Sequence, residues 1–461
     1  MKNAIASIFS QRANTLVACS AAAQTAAQIA SGVAANPGAV AAVADAVANA
    51  APLSAASFNA DGYANEVEAA AAVSAALAQT AATSAAADAA QPEGATRLLA
   101  TVTSATPNAA AATASTYNLY VATTGSDANA GTQAAPYKTI TKAASVAKAG
   151  TTIHVAAGTY AGNVTSKNSG TASARIRIVS DTKWGAKIVG TGSEAMWTNN
   201  GNYVDISGFD ITGPGRLGIL NYASNTLMSD NHVHNLTMSG GCTGSGGAGI
   251  VNATYTGSNG DMIGNVVHDI GKPGACNGVQ GLYSSNKGGK IMNNVVYRVS
   301  AYGIHLWHAA TDVTIANNTV FANGTTAIGG GIVIGVGDSP GGVQLKNTKV
   351  FNNIVYNNPR GGIQQYCYSG QSCIGTGNTV SNNLVSGSAT LVGMKVGAAT
   401  GTIGGDPKFV SYNPTGTGDY RLQSSSPAVN KGVAASAPTT DILGVARPKG
   451  GALDLGAYES F

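Results

Sequence analysis

NNVVYRV (residues 293–299) is one of six versions of a single seven-residue unit in this chain. The others are DNHVHNL (230–236), GNVVHDI (264–270), NNTVFAN (317–323), NNIVYNN (352–358) and NNLVSGS (382–388). Their aligned asparagines recur at intervals of 24 to 35 residues. A second unit, Gly followed by Ile or Leu, precedes each asparagine by a dozen or more residues: Gly218, Gly249, Gly281, Gly303, Gly331 and Gly362.

Repeats of this length with two or three short strands per period are typical of a solenoid. The Leu frame of a leucine-rich repeat is missing, and the period is too short for a four-stranded propeller blade. Asparagine tolerates the left-handed conformation of a sharp corner, and equal amides one rung apart can form a ladder. We therefore predict an all-β fold, a right-handed parallel β-helix over residues 116–400. It should have roughly eight to ten coils spaced by about 4.8 Å, with C-terminal coils and a cap over 401–461.

The overall composition excludes several classes of protein. The chain has 461 residues, 60 of them Gly, with 10% charged residues and a net charge of +4. This balance gives no electrostatic footprint for nucleic acid and does not fit a disordered chain. The long uncharged segments consist of Ala, Ser, Thr and Gly, so no membrane span is expected.

The first 115 residues differ from the rest, because Ala fills 46 of these positions. Such a composition favours helix, and Pro37, Pro52 and Pro92 divide it into shorter pieces. We predict an Ala-rich helical leader or attachment region over residues 1–115 that can mediate oligomerisation. Cys19 ends an LVAC string like a bacterial lipoprotein cleavage site, although Gln11 and Arg12 interrupt the apolar stretch before it.

Residues 120–160, YVATTGSDANAGTQAAPYKTITKAASVAKAGTTIHVAAGTY, resemble the N-terminal segment of pectate-lyase-like β-helix proteins. They contain one short amphipathic pattern around 138–148. QGLYSSN (280–286) and YGIHLWHAATDVTIANNTVFANG (302–324) are similar to the generic coils of that superfamily, and residues 419–459 to its closing segment. The resemblance covers about residues 117–461. It implies the fold, and it leaves lyases, hydrolases, epimerases, adhesins and phage spikes open as functions.

Four cysteines fit the register of the coils. Cys242 lies seven residues before Gly249 and Cys276 five before Gly281, so the two occupy equivalent loops of adjacent coils. Cys367 and Cys373 bracket the short loop CYSGQSC. Two disulfides in this arrangement favour an extracytoplasmic setting, whereas four reduced buried thiols are the alternative.

Alternation along a strand predicts which side chains face outward. The Ile or Leu of each Gly-Ile unit should point into the coil. One outward column then contains Leu220, Val251, Tyr283, His305, Val333 and Gln364, and a second contains Tyr222, Ala253, Ser285, Trp307, Gly335 and Tyr366. Amphipathic rings on such a surface suit sugar rings, so we expect Tyr222, Trp307, His308, Gln364 and Tyr366 to bind substrate. Alternatively, long loops cover this sheet and bury the rings.

Catalytic residues are harder to assign. Between residues 201 and 400 there is no Glu, and no two Asp residues occupy equivalent rungs of the two outward columns. This disfavours hydrolysis by paired carboxylates. β-Elimination from a uronic acid needs a base and a cation. His305 or Tyr283 can serve as the base, with Lys287 or Arg298 neutralising the uronate. Alternatively, His305 is a hydrogen-bonding surface residue, Lys287 a solvated turn residue and Arg298 a contact between coils.

The sequence gives weak grounds for a metal ion. Calcium-dependent lyases of the resembling family supply a carboxylate cluster, but Gln280 stands where some of them carry Asp, and Ser284-Ser285 follow in place of a nearby Lys. We therefore expect no cofactor, because calcium lacks a convincing set of ligands here. His232, His234 and His268 flank the asparagine repeat, and we expect them to make turn hydrogen bonds rather than to bind a metal.

These observations favour an extracellular or cell-surface protein that acts on an acidic polysaccharide, most plausibly as a lyase. The competing hypothesis is a non-catalytic carbohydrate-binding adhesin or phage-type spike. A lyase releases unsaturated product and depends on His305 or Tyr283, whereas a binder retains glycan affinity without turnover.

Overall fold

The computed structural model describes residues 117–461 except 193, 239–240, 243–245, 273, 275, 326–327, 338–341, 368–371, 416 and 461. The predicted helices of residues 1–115 and Cys19 lie outside the described residues. Within the described part the chain forms a right-handed parallel β-helix, as predicted.

Three parallel sheets form the walls of the helix, and the chain visits them in the order A, B, C in each coil. Sheet A contains β1 (Tyr117–Val121), β2 (Thr151–Val155), β5 (Ile176–Ser180), β8 (Val204–Ser207), β11 (Thr226–Ser229), β14 (Gly260–Ile263), β17 (Lys290–Met292), β20 (Thr314–Ala316), β23 (Lys349–Phe351) and β26 (Thr379–Ser381). Sheet B contains β3 (Gly158–Ala161), β6 (Ala186–Val189), β9 (Asp210–Gly213), β12 (His232–Leu236), β15 (Val266–Ile270), β18 (Val295–Val299), β21 (Thr319–Phe321), β24 (Ile354–Tyr356) and β27 (Leu384–Ser386). Sheet C contains β4 (Val164–Ser166), β7 (Ala195–Asn199), β10 (Leu217–Asn221), β13 (Gly247–Asn252), β16 (Val279–Ser284), β19 (Tyr302–Leu306), β22 (Gly330–Gly335), β25 (Ile363–Tyr366) and β28 (Val392–Gly393).

The core lies inside the coils and is built from the repeated positions. Ile219, Ile250, Leu282, Ile304, Ile332 and Ile363 stand in register on sheet C, and all are buried as predicted. The glycine before each of them also has a structural role. At Gly249 a Cβ atom would lie 2.5 Å from Val267 Cγ1 and 2.7 Å from Gly281 O, so a side chain does not fit there. The absence of a side chain lets sheet C approach sheet B.

The predicted asparagine ladder runs between sheets A and B. Each amide Nδ2 donates to Oδ1 of the asparagine one coil further on, at 2.9–3.2 Å, from Asn231 through Asn383. The left-handed conformation belongs to the preceding residue instead, with φ of 51–70° at Asp230, Gly264, Asn293, Asn317, Asn352 and Asn382. The corner therefore uses two adjacent residues, one for the turn and one for the ladder.

The ends of the solenoid carry additional elements. Helix α1 (Ile140–Val146) begins after Thr139, whose side chain accepts from Lys142 N, and it confirms the short helix predicted around 138–148. The antiparallel strands β29 (Phe409–Ser411) and β30 (Asp419–Leu422) belong to the C-terminal segment. This segment packs along the outer face of sheet B, where Leu455 and Ala457 join a buried cluster with Phe321 and Ile354. The described residues contain no helix both long and apolar enough to cross a membrane.

Both predicted disulfides are present. Cys242 bonds to Cys276 in the next coil, with their Cα atoms 4.6 Å apart, and Cys367 bonds to Cys373 across a separation of six residues. The first bond links the loops that precede β13 and β16, as the register predicted.

Candidate functional site

The outer face of sheet C carries the two columns predicted from the sequence. The first column pairs in register from Leu220 to Gln364, with Tyr283 opposite His305. In the second column, Gly335 pairs with Tyr366. Together with neighbouring rings, these columns form an aromatic cluster on β16, β19, β25 and adjoining turns. We define the aromatic cluster as Tyr255, Tyr283, Tyr302, His305, Trp307, His308 and Tyr366.

His305 is the centre of the aromatic cluster. Its ring stacks on Tyr302 with the centroids 4.2 Å apart, and on Tyr283 at 5.3 Å. Trp307 lies 5.8 Å from His305 and 5.3 Å from Tyr366. The rings therefore form a continuous row across several coils.

A second branch of the cluster runs through the turn after β19. His308, with φ of 53°, has Nδ1 3.1 Å from Gly337 O. Its ring lies 4.5 Å from that of Tyr255 and 6.3 Å from that of Tyr283. His308, predicted to bind substrate, therefore lies on the same side as Tyr283.

Burial controls the chemistry of His305. The residue is 7% exposed, and its Nδ1 has no hydrogen-bond partner. Burial, with a smaller contribution from the nearby His308, lowers the pKa of His305 to about 3. The imidazole is therefore neutral at neutral pH, because desolvation disfavours its charged form. The low pKa makes this imidazole a poor base at neutral pH, and burial keeps its Nδ1 away from a ligand on the surface.

The expectation that the rings of the two columns lie exposed on the surface is wrong for Trp307 and His305. Trp307 is only 6% exposed and His305 is similarly buried, because flanking rings pack against both. Tyr366 and Tyr222 are 42% and 49% exposed. Tyr222 follows β10, about three rungs of 4.8 Å from Trp307, so it lies apart from the aromatic cluster. Gln364 continues the first column and is partly exposed.

The two cations predicted for the site lie elsewhere. Arg298 is on sheet B, where its Nε donates to Asp269 Oδ1 at 2.6 Å. This is the contact between coils that the sequence left open as the alternative. Lys287 lies in the turn towards sheet A, where it lines a polar cleft with Asp261, Lys290 and Asp312. Neither residue is brought to His305, because each belongs to another wall of the coil.

Three histidines form a separate group on the outer face of sheet B. His232 and His234 lie on β12, and His268 pairs with His234 from β15. Asp210 contacts two of these histidines: its Oδ1 lies 2.7 Å from His234 Nε2 and 3.3 Å from His232 Nδ1. The expectation that these histidines belong to turns is wrong, because alternation along β12 and the register with β15 place all three on one strand face.

Comparison with known proteins establishes the family. A family model described as Pel9A-like, right handed beta helix region, matches residues 119–391. The chain belongs to this Pel9A-like family. No curated protein matches the chain.

Solved structures are similar to this Pel9A-like chain, and the first of them shares its fold. Pectate lyase Pel9A is 18% identical with a TM-score of 0.51, and the match covers 75% of this chain and 96% of that one. A rhamnogalacturonan lyase is 16% identical with a TM-score of 0.41, covering 62% of this chain and 84% of that one. An alginate lyase from Paenibacillus sp. is 18% identical with a TM-score of 0.34, covering 57% and 96%. At these identities the likeness concerns the fold alone.

Sequence reasoning missed three residues near the site of this Pel9A-like protein. Tyr302 begins β19 and stacks on His305, although strict alternation would turn it inward. Tyr255 belongs to a turn outside the repeats. Lys395 follows β28 by two residues, and the pairing of Gln364 with Gly393 places it one rung beyond Tyr366. Lys395 can be located only once the pairing of β25 with β28 is known.

Proposed function

We propose that this chain binds a uronate-containing polysaccharide along the outer face of sheet C and cleaves it by β-elimination. The observation that carries the proposal is the row of rings around His305. Aromatic faces pack against the apolar faces of sugar rings, while their polar edges meet hydroxyl groups. Tyr366 provides the exposed end of this row, and Lys395 the next position along it.

The chemistry requires one proton to be removed and one to be supplied. Tyr283, as phenolate, accepts the C5 proton next to the carboxyl group, the C4–O bond breaks, and a C4–C5 double bond forms. The Tyr283 hydroxyl formed in this way returns the proton to the leaving oxygen, while the neutral His305 ring stacks on Tyr283. Family membership supports a polysaccharide as substrate, because pectate lyase Pel9A shares this fold.

The disulfides support a secreted location for this activity. Bonds such as Cys242–Cys276 persist in oxidising compartments and are rare in the cytosol. A polysaccharide substrate outside the cell is consistent with such a location.

A turnover assay tests the catalytic part of the proposal. Pectate, alginate and other uronate polymers are incubated with the full chain, with calcium and with chelator, while ultraviolet absorbance of unsaturated product is followed. We expect Tyr283→Phe to lower turnover by about 100-fold or more, as for loss of a general acid and base. His305→Ala should lower it less, because Tyr283 then loses only a stacking partner. His154→Ala, which alters a histidine on sheet A, is the matched control and should retain activity.

The second candidate function is carbohydrate binding without turnover, as in an adhesin or spike. The exposed Tyr222 and Tyr366 favour it, as do Lys287 and Arg298, which lie away from His305. Affinity electrophoresis on the same polymers separates the two functions. Retardation that Tyr366→Ala abolishes, with no product from any polymer, overturns the lyase and supports the binder. If neither binding nor product is found, the lyase and the binder are both overturned. Tyr117→Ala is the control, because Tyr117 on β1 is as exposed as Tyr366.

A further inference from the structure

The histidine group on sheet B has the geometry of a metal site. The ligand atoms of His232, His234 and His268 all lie within 4.8 Å of one another. Their side chains are 21%, 18% and 12% exposed, so a bound ion would be largely shielded yet reachable from solvent. We define these three residues as the histidine cluster.

Carboxylates fix how two of the imidazoles are presented. His268 Nδ1 lies 2.5 Å from Asp269 Oδ2, and His232 Nδ1 lies 3.3 Å from Asp210 Oδ1. A carboxylate accepts a hydrogen bond from Nδ1–H, which leaves Nε2 of the same ring as an electron-pair donor. This carboxylate–histidine pairing is the usual outer shell of histidine ligands to a metal.

The two remaining donor atoms face each other. His232 Nε2 lies 2.8 Å from His268 Nε2. With both Nδ1 atoms protonated, two lone pairs point at one another across this gap. Either one ring donates an Nε2–H to the other, or a cation accepts both lone pairs.

We propose that the histidine cluster binds a zinc-class divalent metal ion. Imidazole nitrogen suits zinc, whereas calcium and magnesium take oxygen ligands. Asp210 is not one of the grouped ligands, so a water molecule would fill the fourth position. Around tetrahedral zinc, with Zn–N of about 2.0–2.1 Å, donor atoms lie about 3.3 Å apart. The His232–His268 gap would therefore widen from 2.8 Å, and one nitrogen of His234, now 2.6 Å from Asn235 Oδ1 or 2.7 Å from Asp210 Oδ1, would exchange its hydrogen bond for the ion.

The ion would join successive coils of the solenoid. His232 and His234 are on β12, and His268 is on β15. The ring of Tyr297 stacks on His268 at 4.6 Å and Trp184 lies 4.7 Å from His232, so aromatic rings enclose the cluster on two sides. The site lies on a different sheet from His305, and it does not depend on the proposed function.

Cobalt substitution tests the site on the full chain. Chelator-treated protein is titrated with Co²⁺, and we expect one equivalent to give the visible absorption of a tetrahedral cobalt centre, which Zn²⁺ then displaces. His232→Ala and His268→Ala should weaken binding by 100-fold or more. Asp269→Asn, which alters the carboxylate partner of His268 and also the ion pair with Arg298, should weaken it by about 10–100-fold. His154→Ala is the matched control and should bind as the unaltered protein does.

A second measurement protects the test against variants that fail to fold. In the unaltered protein, Zn²⁺ should shift the proton resonances of three histidines and leave those of His154, His305 and His308 in place. Cobalt absorption that is absent, or equal in the unaltered protein and in folded His268→Ala, overturns the proposal. A zinc-induced shift of histidines outside the cluster, without one inside it, does the same.

Discussion

His305 combines deep burial with a titratable ring. Its pKa of about 3 lies below the value of 6.5 for an unperturbed histidine, because burial disfavours the imidazolium. Between pH 6.5 and 3 the unfolded chain binds a proton that the folded chain does not. Stability contributed by neutral His305 is therefore complete above pH 6.5 and is lost progressively as the pH falls towards 3.

His305→Phe keeps a ring in the cluster but removes this titration. We expect the difference in unfolding free energy between unaltered protein and variant to move in favour of the variant by on the order of 4 kcal/mol from pH 7 to pH 3. Urea denaturation at intervals across this range measures it, since carboxylate titration is common to both proteins. His154→Phe is the control, and parallel curves for His305→Phe and the unaltered protein would contradict the prediction.

Orientation of single residues could be predicted from the sequence better than their exposure. Strand alternation correctly placed Tyr283 and His305 side by side on the outer face. It did not predict that Trp307 would be buried, because burial depends on rings from other coils and on turns that the repeat does not specify. Arg298 was assigned to the site as a cation for the uronate, although the coil geometry places it on another wall.

The asparagine ladder is the element that joins one coil to the next at a corner. Asn318 Oδ1 accepts from both Asn294 N at 3.0 Å and Asn294 Nδ2 at 2.9 Å. Its own Nδ2 donates to Ile291 O, to Ala316 O and to Asn353 Oδ1. The two N–H groups of this amide are therefore shared among three acceptors, while its oxygen accepts twice.

Asn318→Ala should destabilise the protein by about 3–5 kcal/mol, because several buried partners lose their hydrogen bonds at about 1–3 kcal/mol each. Asn318→Asp has the same shape but buries a carboxylate against Ile291 O, so it should not rescue stability. Chemical denaturation measures both variants. Asn200→Ala, an exposed asparagine after β7, should change stability by less than about 0.5 kcal/mol. A loss at Asn318 no larger than at Asn200 would show that the ladder adds little.

At this corner one residue turns the chain and the next forms the ladder, which explains how much the repeat could reveal. The Asn-Asn pairs drew attention to the corner, but composition does not say which member turns the chain. Gly264 replaces the first Asn in one coil, and that position has the positive φ. A second ladder, from Asn199 through Asn221 to Asn252, was missed because these residues end strands without a shared neighbouring motif.

At the scale of the whole molecule, one part of the outer face of sheet B is covered by the C-terminal segment and another part carries the histidine cluster. From β18 onward the C-terminal segment covers it, with Tyr420 against Tyr297 at 5.3 Å. Over β9, β12 and β15 the same face carries the histidine cluster, and Tyr297 stacks on His268 at the boundary. The C-terminal residues resembled a closing segment in sequence. Their path along sheet B depends on apolar outward residues such as Phe321 and Ile354. The local sequence does not show which segment packs against those residues.

The two disulfides constrain the unfolded chain to different extents. Cys242–Cys276 closes a separation of 34 residues and Cys367–Cys373 one of six. Chain-entropy arguments give about 4 kcal/mol for the longer loop and about 2 kcal/mol for the shorter one at 25 °C. Cys242→Ser should therefore lower the free energy of unfolding more than Cys367→Ser does. The longer bond also links two adjacent coils of the solenoid covalently. Urea denaturation of both variants, with and without reductant, measures the difference. Equal losses, or a larger loss for Cys367→Ser, would mean that native contacts of the cysteines outweigh the constraint on the unfolded chain.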